Sequence, residues 1–163
     1  MKKLIEAQWP VHRDVVVALF REYAISLDVD ICFQGFEQEL VTLPGKYAAP
    51  GGCVLLAELN DEWVGCVGLR PLGEGICEMK RLYVRPTCRG HQIGRLLVEA
   101  LIVKAKLKGY SAMRLDTLPA MQAAQGLYTN LGFKLISPYY DNPLPGSTYL
   151  ELNLSETTPL CAS

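Results

Sequence analysis

Residues 76–101 read ICEMKRLYVRPTCRGHQIGRLLVEAL, and the order of patterns within them decides the fold. Ile76 to Val84 is a strand-like run with charges inside it, and Pro86 closes it. Arg89-Gly90-His91-Gln92-Ile93-Gly94 is a short loop, and from it Ile93, Leu96, Leu97, Ala100, Leu101 and Leu107 recur at helical spacing. Lys104, Lys106 and Lys108 suit the negative end of that helix, and Gly109 fits its terminating position. A strand that enters a helix through such a loop leaves backbone N–H groups unpaired at the helix entrance, where the helix dipole favours an anion. Gly90 and Gly94 leave room for a phosphate to approach the backbone.

Towards the N-terminus, Leu4 to Trp9 reads as a short strand ended by Pro10. Asp14 is the expected cap of a helix whose face is Val16, Leu19, Phe20, Tyr23 and Leu27. A second helical stretch, Gly35 to Leu43, stops before Pro44-Gly45. The apolar runs Cys53–Leu59, Trp63–Leu69 and Ile76–Val84 predict an antiparallel meander. Beyond the long helix, Ser111–Leu115 is a strand and Pro119 opens a helix to about Leu131, stopped by Gly132. Two strands, Phe133–Ile136 and Thr148–Leu154, flank the turn-rich loop SPYYDNPLPGS. The expected fold is α/β (α+β), a single domain over residues 1–163 with a mixed, mostly antiparallel central sheet flanked by helices.

Composition narrows the function. A chain of 163 residues suits one domain, able to bury about 68–70% of its unfolded surface without staples. Half of the residues are apolar and 20% charged, which excludes a disordered chain. Sixteen basic residues against seventeen acidic ones leave a net charge of -1, so neither nucleic acid nor a membrane surface is an expected partner. The six cysteines form no C-x-x-C pair, and His12 and His91 are the only histidines, so no metal is expected. Glu6 and Gln8 interrupt the apolar stretch a signal peptide needs, and the expected location is the cytoplasm, with free thiols.

Two familiar phosphate loops do not fit the 89–94 segment. A P-loop needs Lys-Ser/Thr after its last glycine, whereas Gly94 is followed by Arg95-Leu96. The dinucleotide fingerprint needs a third glycine, and Asp116 alone does not supply the rest.

A third pattern does fit. Arg89-Gly90-His91-Gln92-Ile93-Gly94 resembles the Arg/Gln-x-x-Gly-x-Gly/Ala loop of the GNAT superfamily of acetyl-CoA-dependent N-acetyltransferases. Glu78 to Pro86 resembles that superfamily's fourth strand, and Ala124, Tyr128 and Leu131-Gly132-Phe133 resemble its Ala-x-x-x-Tyr-x-x-x-Gly-Phe segment. The three segments stand in the right order between Cys53 and Phe133. Two positions depart from the pattern. Gln92 stands where the loop usually has its first glycine, at a strain of about 1 kcal/mol if φ must be positive there. Met121 stands where many relatives carry a cofactor-holding asparagine.

The resemblance implies acetyl-CoA as cosubstrate, its pyrophosphate on the N–H groups of Arg89, Gly90, His91, Gln92, Ile93, Gly94 and Arg95. It implies a pantetheine arm paired to backbone near Leu82, Tyr83 and Val84. Glu78 is the implied base, directly or through water, and Tyr128 the implied acid for the departing thiolate. Glu78 as a charge paired with Lys80 or an arginine, and Tyr128 as a core-packing ring, are the competing structural roles. The acceptor, a primary amine of a small molecule in the first reading and a protein N-terminus or lysine in the second, would meet Tyr139 and Tyr140, with Phe33 on the far side. A non-catalytic acyl-CoA sensor is the rival class, and a homodimer is left open.

Overall fold

The computed structural model describes residues 1–27, 35–119, 121–142 and 144–155. Phe33, expected at the acceptor site, lies outside them, as do Cys32 and Cys161.

The meander forms as its turns dictate. β1 (Lys2–Glu6), β2 (Cys53–Leu59), β3 (Glu62–Gly73) and β4 (Ile76–Val84) pair antiparallel in sequence order. The first strand begins two residues earlier than expected, because Lys2 to Glu6 find a full ladder on β2. β4 then pairs parallel with β5 (Ala112–Thr117), as a strand, helix, strand crossover requires. β7 (Thr148–Asn153) and β6 (Lys134–Ile136) complete the seven-stranded sheet β1-β2-β3-β4-β5-β7-β6.

Helices cover both faces. α1 (Arg13–Ser26) and α2 (Phe36–Thr42) lie on one side, where Val16, Leu19, Phe20, Phe36 and Leu40 pack with Val54, Leu56 and Cys66. α3 (Ile93–Leu107) lies on the other and buries Ile93, Leu97, Val98, Leu101, Ile102 and Ala105 against Cys53, Leu55, Val67 and Leu69. Covered on both sides, β2 reads as one continuous apolar run rather than an alternating one. Each fully buried leucine or valine there is worth about 1.5–3 kcal/mol.

Three helical details differ from the sequence reading. His12, not Asp14, holds the N-cap position of α1, and no side chain bonds back to the helix there. Leu107 lies 80% exposed at the C-terminus of α3, past the point where that helix meets the sheet. α4 runs Gln122–Asn130, so Pro119 precedes it instead of forming its first turn.

The feature that shapes the site is a bulge in β4. Arg81 has φ 62°, and the register with β3 slips between the Cys66 and Gly68 pairings, so β4 carries one extra residue there. Strict alternation would put Glu78, Lys80, Leu82 and Val84 on one face. Instead Cys77 and Met79, then Leu82 and Val84, face α3, while Tyr83 faces α1 and α2. The parallel ladder with β5 ends at the Glu78 and Arg114 pair, although both strands run on. Beyond that point β4 and β5 part, and the cleft between them is the candidate site.

Candidate active site

A groove of about 390 Å³ opens at the parted strands. Leu82, Tyr83 and Val84 form its floor, Arg89, Gly90, Gln92, Ile93 and Gly94 one end, and α4 and the turn before it the far wall, through Leu118, Met121, Ala124 and Leu127. Tyr23, Ser26 and Leu27 at the end of α1 close it. Among the described residues no strand continues the ladder on the β5 side of Leu82 to Val84, so an extended amide-bearing chain can add there as a strand would.

The end of the groove is built for an anion. The first α3 amide with an acceptor at its entrance is Leu96, bonded to the Gln92 carbonyl at 3.0 Å, which leaves the amides of Ile93, Gly94 and Arg95 ahead of it without a helical partner. Gly90 has φ 95°, and Gln92 has φ 59°, so the position expected to need a positive φ does hold one with a full side chain. Gly94 has no such backbone reason. A Cβ there would meet only Val84, at 3.8 Å, so the glycine in this first turn clears space in the groove and none inside the protein.

Eight of the ten residues expected to hold the cosubstrate line this groove. His91 does not, and Arg95 turns away: its Nε donates to Glu99 at 3.3 Å, and the side chain lines a different depression on the outside of α3. Arg95 can contribute its backbone amide to the anion site, and its guanidinium belongs to the helix surface.

A smaller polar cavity of about 20 Å³ lies behind the groove and shares Tyr23, Leu82 and Met121 with it. Tyr128 lines it, together with Met79, Lys80, Arg81, Leu115 and Asp116. The Tyr128 ring, 3% exposed, also packs on Phe133 with centroids 5.5 Å apart, so the core-packing role and access to the cleft coexist. Burial raises its phenol above the ordinary 10, so the hydroxyl carries its proton at neutral pH.

Glu78 is placed differently from a free base. It is 2% exposed, and it lines neither cavity. Arg70 Nε donates to Oε1 at 2.9 Å, and the Tyr139 hydroxyl donates to Oε2 at 2.7 Å. Burial pushes its carboxyl up, but the Lys80 and Arg70 charges and the two hydrogen bonds outweigh that and hold it below the usual carboxylate value. The competing role, a carboxylate paired with an arginine, describes this geometry.

The loop between β6 and β7 is tied to the cleft by its aromatic residues. Tyr139 reaches Glu78, and the Tyr140 hydroxyl donates to Asp116 Oδ2 at 2.7 Å. Asn142 Nδ2 donates to the same oxygen at 3.2 Å, while its Oδ1 accepts the Leu144 amide. Tyr149 packs edge to face on Tyr139 and Tyr140 at centroid distances of 5.3 and 5.6 Å, and those two rings meet tilted at 5.5 Å.

From sequence, Lys80 entered only as a partner for Glu78 and Asp116 only as an unmatched dinucleotide acid, and Arg70 and Glu39 had no assigned role. Lys80 Nζ stands 3.7 Å from Asp116 Oδ1 across the parted strands, and Arg81 is bonded by both its Nε and Nη2 to Glu39 of α2 at 3.1 Å. The available signal was alternation. Arg114 and Asp116 share one face of β5, as Glu78 and Lys80 share one face of β4, and a charged face on two adjacent central strands is a poor core pattern. Among the described residues no group of three His, Cys, Asp or Glu side chains is placed to hold a metal ion, and no helix is long and apolar enough to cross a membrane.

Comparison with known proteins agrees with this architecture. The family model described as Acetyltransferase (GNAT) family matches residues 17–133. An uncharacterised N-acetyltransferase of Schizosaccharomyces pombe is 42% identical over 149 residues, covering 90% of this chain and 91% of its own. An acetyltransferase of the GNAT family from Staphylococcus aureus superposes with a TM-score of 0.77 at 23% identity, over 94% of this chain and 99% of its own. A Salmonella typhimurium acetyltransferase solved with its cofactor acetyl-CoA superposes with a TM-score of 0.72 at 19% identity, over 99% of both chains.

Proposed function

The chain belongs to the GNAT acetyltransferase family, and on that premise we propose that it transfers the acetyl group of acetyl-CoA to a primary amine of a small molecule by direct attack in a ternary complex. The observation that carries this reading is the groove with a bare helix entrance at one end and the polar cavity holding Tyr128 at the other. The residues fit the cosubstrate: the amides of Ile93 to Arg95 suit a pyrophosphate, the unpaired edge of Leu82 to Val84 suits an amide-bearing arm, and Gly94 keeps the space clear.

When bound, acetyl-CoA supplies an activated thioester. The chemical problem left to the protein lies on the amine. With an ordinary pKa of about 10.4, an alkylamine is neutral in about one molecule in 2,500 at pH 7, equal to about 4.6 kcal/mol before attack begins. Its lone pair then forms the C–N bond, an N–H proton leaves, and the C–S bond breaks with its electron pair on sulfur. A backbone N–H near Leu82 stabilises the oxyanion, and the Tyr128 hydroxyl gives sulfur a proton. The need for that proton grows in a dry site. Burial raises the thiols of this same protein, Cys53 to about 11 and Cys77 to about 12, and it disfavours a departing thiolate in the same way.

A small acceptor is supported by the 137–142 loop, an aromatic wall whose tyrosines bond to Glu78 and to Asp116, the carboxylate of the smaller cavity. Glu78, the base expected from the family, acts here by fixing Tyr139, and through it that wall. Buried, unbridged Cys53, Cys66 and Cys77 suit the reducing cytoplasm. The test is release of CoA thiol from acetyl-CoA with a panel of alkylamines, aralkylamines, polyamines, free amino acids and a peptide with a free N-terminus. Turnover confined to small amines supports the reading. Turnover on the peptide alone overturns the acceptor class, and binding of acetyl-CoA with no turnover overturns the transferase reading.

A further inference from the structure

The 20 Å³ cavity has one carboxylate among its lining residues, and it is Asp116. We propose that Asp116 receives the acceptor's amine nitrogen and takes the proton that nitrogen gives up as it attacks; the proposal rests on the N-acetyltransferase reading above.

Three observations carry it. The first is position: Asp116 stands at the end of β5 beyond the last pairing with β4, so the parting of the strands puts its carboxylate at the head of the cleft. Tyr128, the proton donor, lines the same cavity from α4, and Glu78 does not reach it. The second is support. Oδ2 is fixed by the Tyr140 hydroxyl at 2.7 Å and by Asn142 at 3.2 Å, which orients Oδ1 toward the cleft, 3.7 Å from Lys80 Nζ. Asn142 is itself held by the Leu144 amide, so the arrangement is braced two bonds deep. The third is size: a cavity of about 20 Å³ holds roughly one water-sized group, as an amine nitrogen is.

The chemistry balances. A neutral amine attacks; its lone pair becomes the C–N bond, and an N–H proton passes to Asp116 as the nitrogen acquires positive charge and becomes a stronger acid than the free ammonium. The C–S pair leaves with sulfur, which takes the Tyr128 proton. The proton on Asp116 returns through water to Tyr128, and the products are the amide and the CoA thiol with no net proton change. The groups facing Asp116 are Tyr23 from α1, Lys80 and Arg81 from β4, Tyr128 from α4, and Tyr139, Tyr140 and Tyr149 from the last loop and strand.

The test compares Asp116→Asn, Asp116→Glu and Tyr140→Phe in the full chain, with acetyl-CoA and whichever panel amine the wild type acetylates. For Asp116→Asn, kcat/KM for the amine should fall by about 10²-fold or more, with acetyl-CoA affinity by calorimetry unchanged and the remaining rate rising with pH well beyond the wild-type plateau. Asp116→Glu should recover at least tenfold over Asp116→Asn, and Tyr140→Phe should raise the KM for the amine while leaving acetyl-CoA affinity alone. Asp116→Asn turning over within threefold of wild type, or with an unaltered pH profile, overturns the proposal. So does loss of acetyl-CoA binding in all three variants, which would make Asp116 a structural brace. A wild type that binds acetyl-CoA but acetylates nothing in the panel fails earlier, at the transferase reading, and takes this proposal with it.

Discussion

Truncating Glu39 tests whether a buried ion pair pins the bulge that opens the cleft. The Glu39 side chain, 10% exposed, reaches from α2 and accepts two bonds at 3.1 Å from Arg81, whose own side chain is 1% exposed. Arg70 lies 3.7 Å from the same carboxylate. Glu39→Ala removes the bidentate acceptor of the Arg81 guanidinium in a dry layer, and breaking a buried pair from one side costs about 3–5 kcal/mol. For 163 residues the unfolding entropy near the midpoint is about 0.34 kcal/mol per degree, so Tm should drop by about 9–15 °C. Replacing the whole pair, Glu39→Met with Arg81→Met, should return most of that loss, because apolar substitutes for a complete buried pair are often neutral or better by about 1–4 kcal/mol. Calorimetric melts of the wild type, Glu39→Met, Arg81→Met and the double variant close the thermodynamic cycle. The reasoning is refuted if Glu39→Ala costs less than about 1 kcal/mol, the range of an exposed pair. It is equally refuted if the double variant loses the sum of the two singles.

Three further outcomes follow from the site. Tyr128→Phe keeps the ring against Phe133 and removes the proton donor, so kcat should fall by about 10²-fold while acetyl-CoA Kd stays put; a weakened Kd with intact kcat would assign the hydroxyl to binding. Gly94→Ala adds a methyl that meets only Val84 at 3.8 Å, so helix propensity should stabilise the fold by up to about 1 kcal/mol, while acetyl-CoA Kd rises at least tenfold; a variant that is stabilised and binds normally would show that the groove does not need that glycine. Glu78 has a folded pKa below its ordinary 4.5, so its contribution is complete above that value and is lost as pH falls through the depressed one. The Tm gap between wild type and Glu78→Gln should therefore narrow in melts taken from pH 6 downward, and a constant gap would sever the link to Arg70 and Lys80.

What could be read from sequence was what short-range pattern controls. The meander, the crossover through α3 and the glycine-bearing loop follow from local apolar periodicity and from breakers such as Pro86 and Gly109, and the structure places each accordingly. The site's chemistry depends on partners far apart in the chain: Arg81 with Glu39 across 42 residues, Tyr139 with Glu78 across 61, Tyr140 with Asp116 across 24. No local propensity reports such pairs, and Asp116 read in isolation looked like a failed dinucleotide acid. Arg81 gave no warning of a positive φ either. Glycine or asparagine marks that conformation in a sequence, whereas here Glu39 and the Tyr23 and Phe36 rings around the guanidinium hold it.

That one residue ties the features of the site together. With Arg81 in ordinary extended conformation, Leu82 and Val84 would turn toward α1 and α2, and Tyr83 toward α3, undoing the apolar contact that seats the helix entrance behind the groove. The parallel ladder, now ending at Glu78 and Arg114, would be free to extend by two pairs, bringing Lys80 opposite Asp116 as strand neighbours. The unpaired edge at Leu82 to Val84, the cavity beside Tyr128 and the exposure of the Asp116 carboxylate would then close at once. The bulge is thus the physical feature that both the groove and the small polar cavity share. Its anchor on α2 explains why three carboxylates, Glu39, Glu78 and Asp116, and three cations, Arg70, Lys80 and Arg81, are gathered in one buried layer: each cation has an opposite charge within 4 Å, and together they hold two strands apart against the pairing their backbones would otherwise complete.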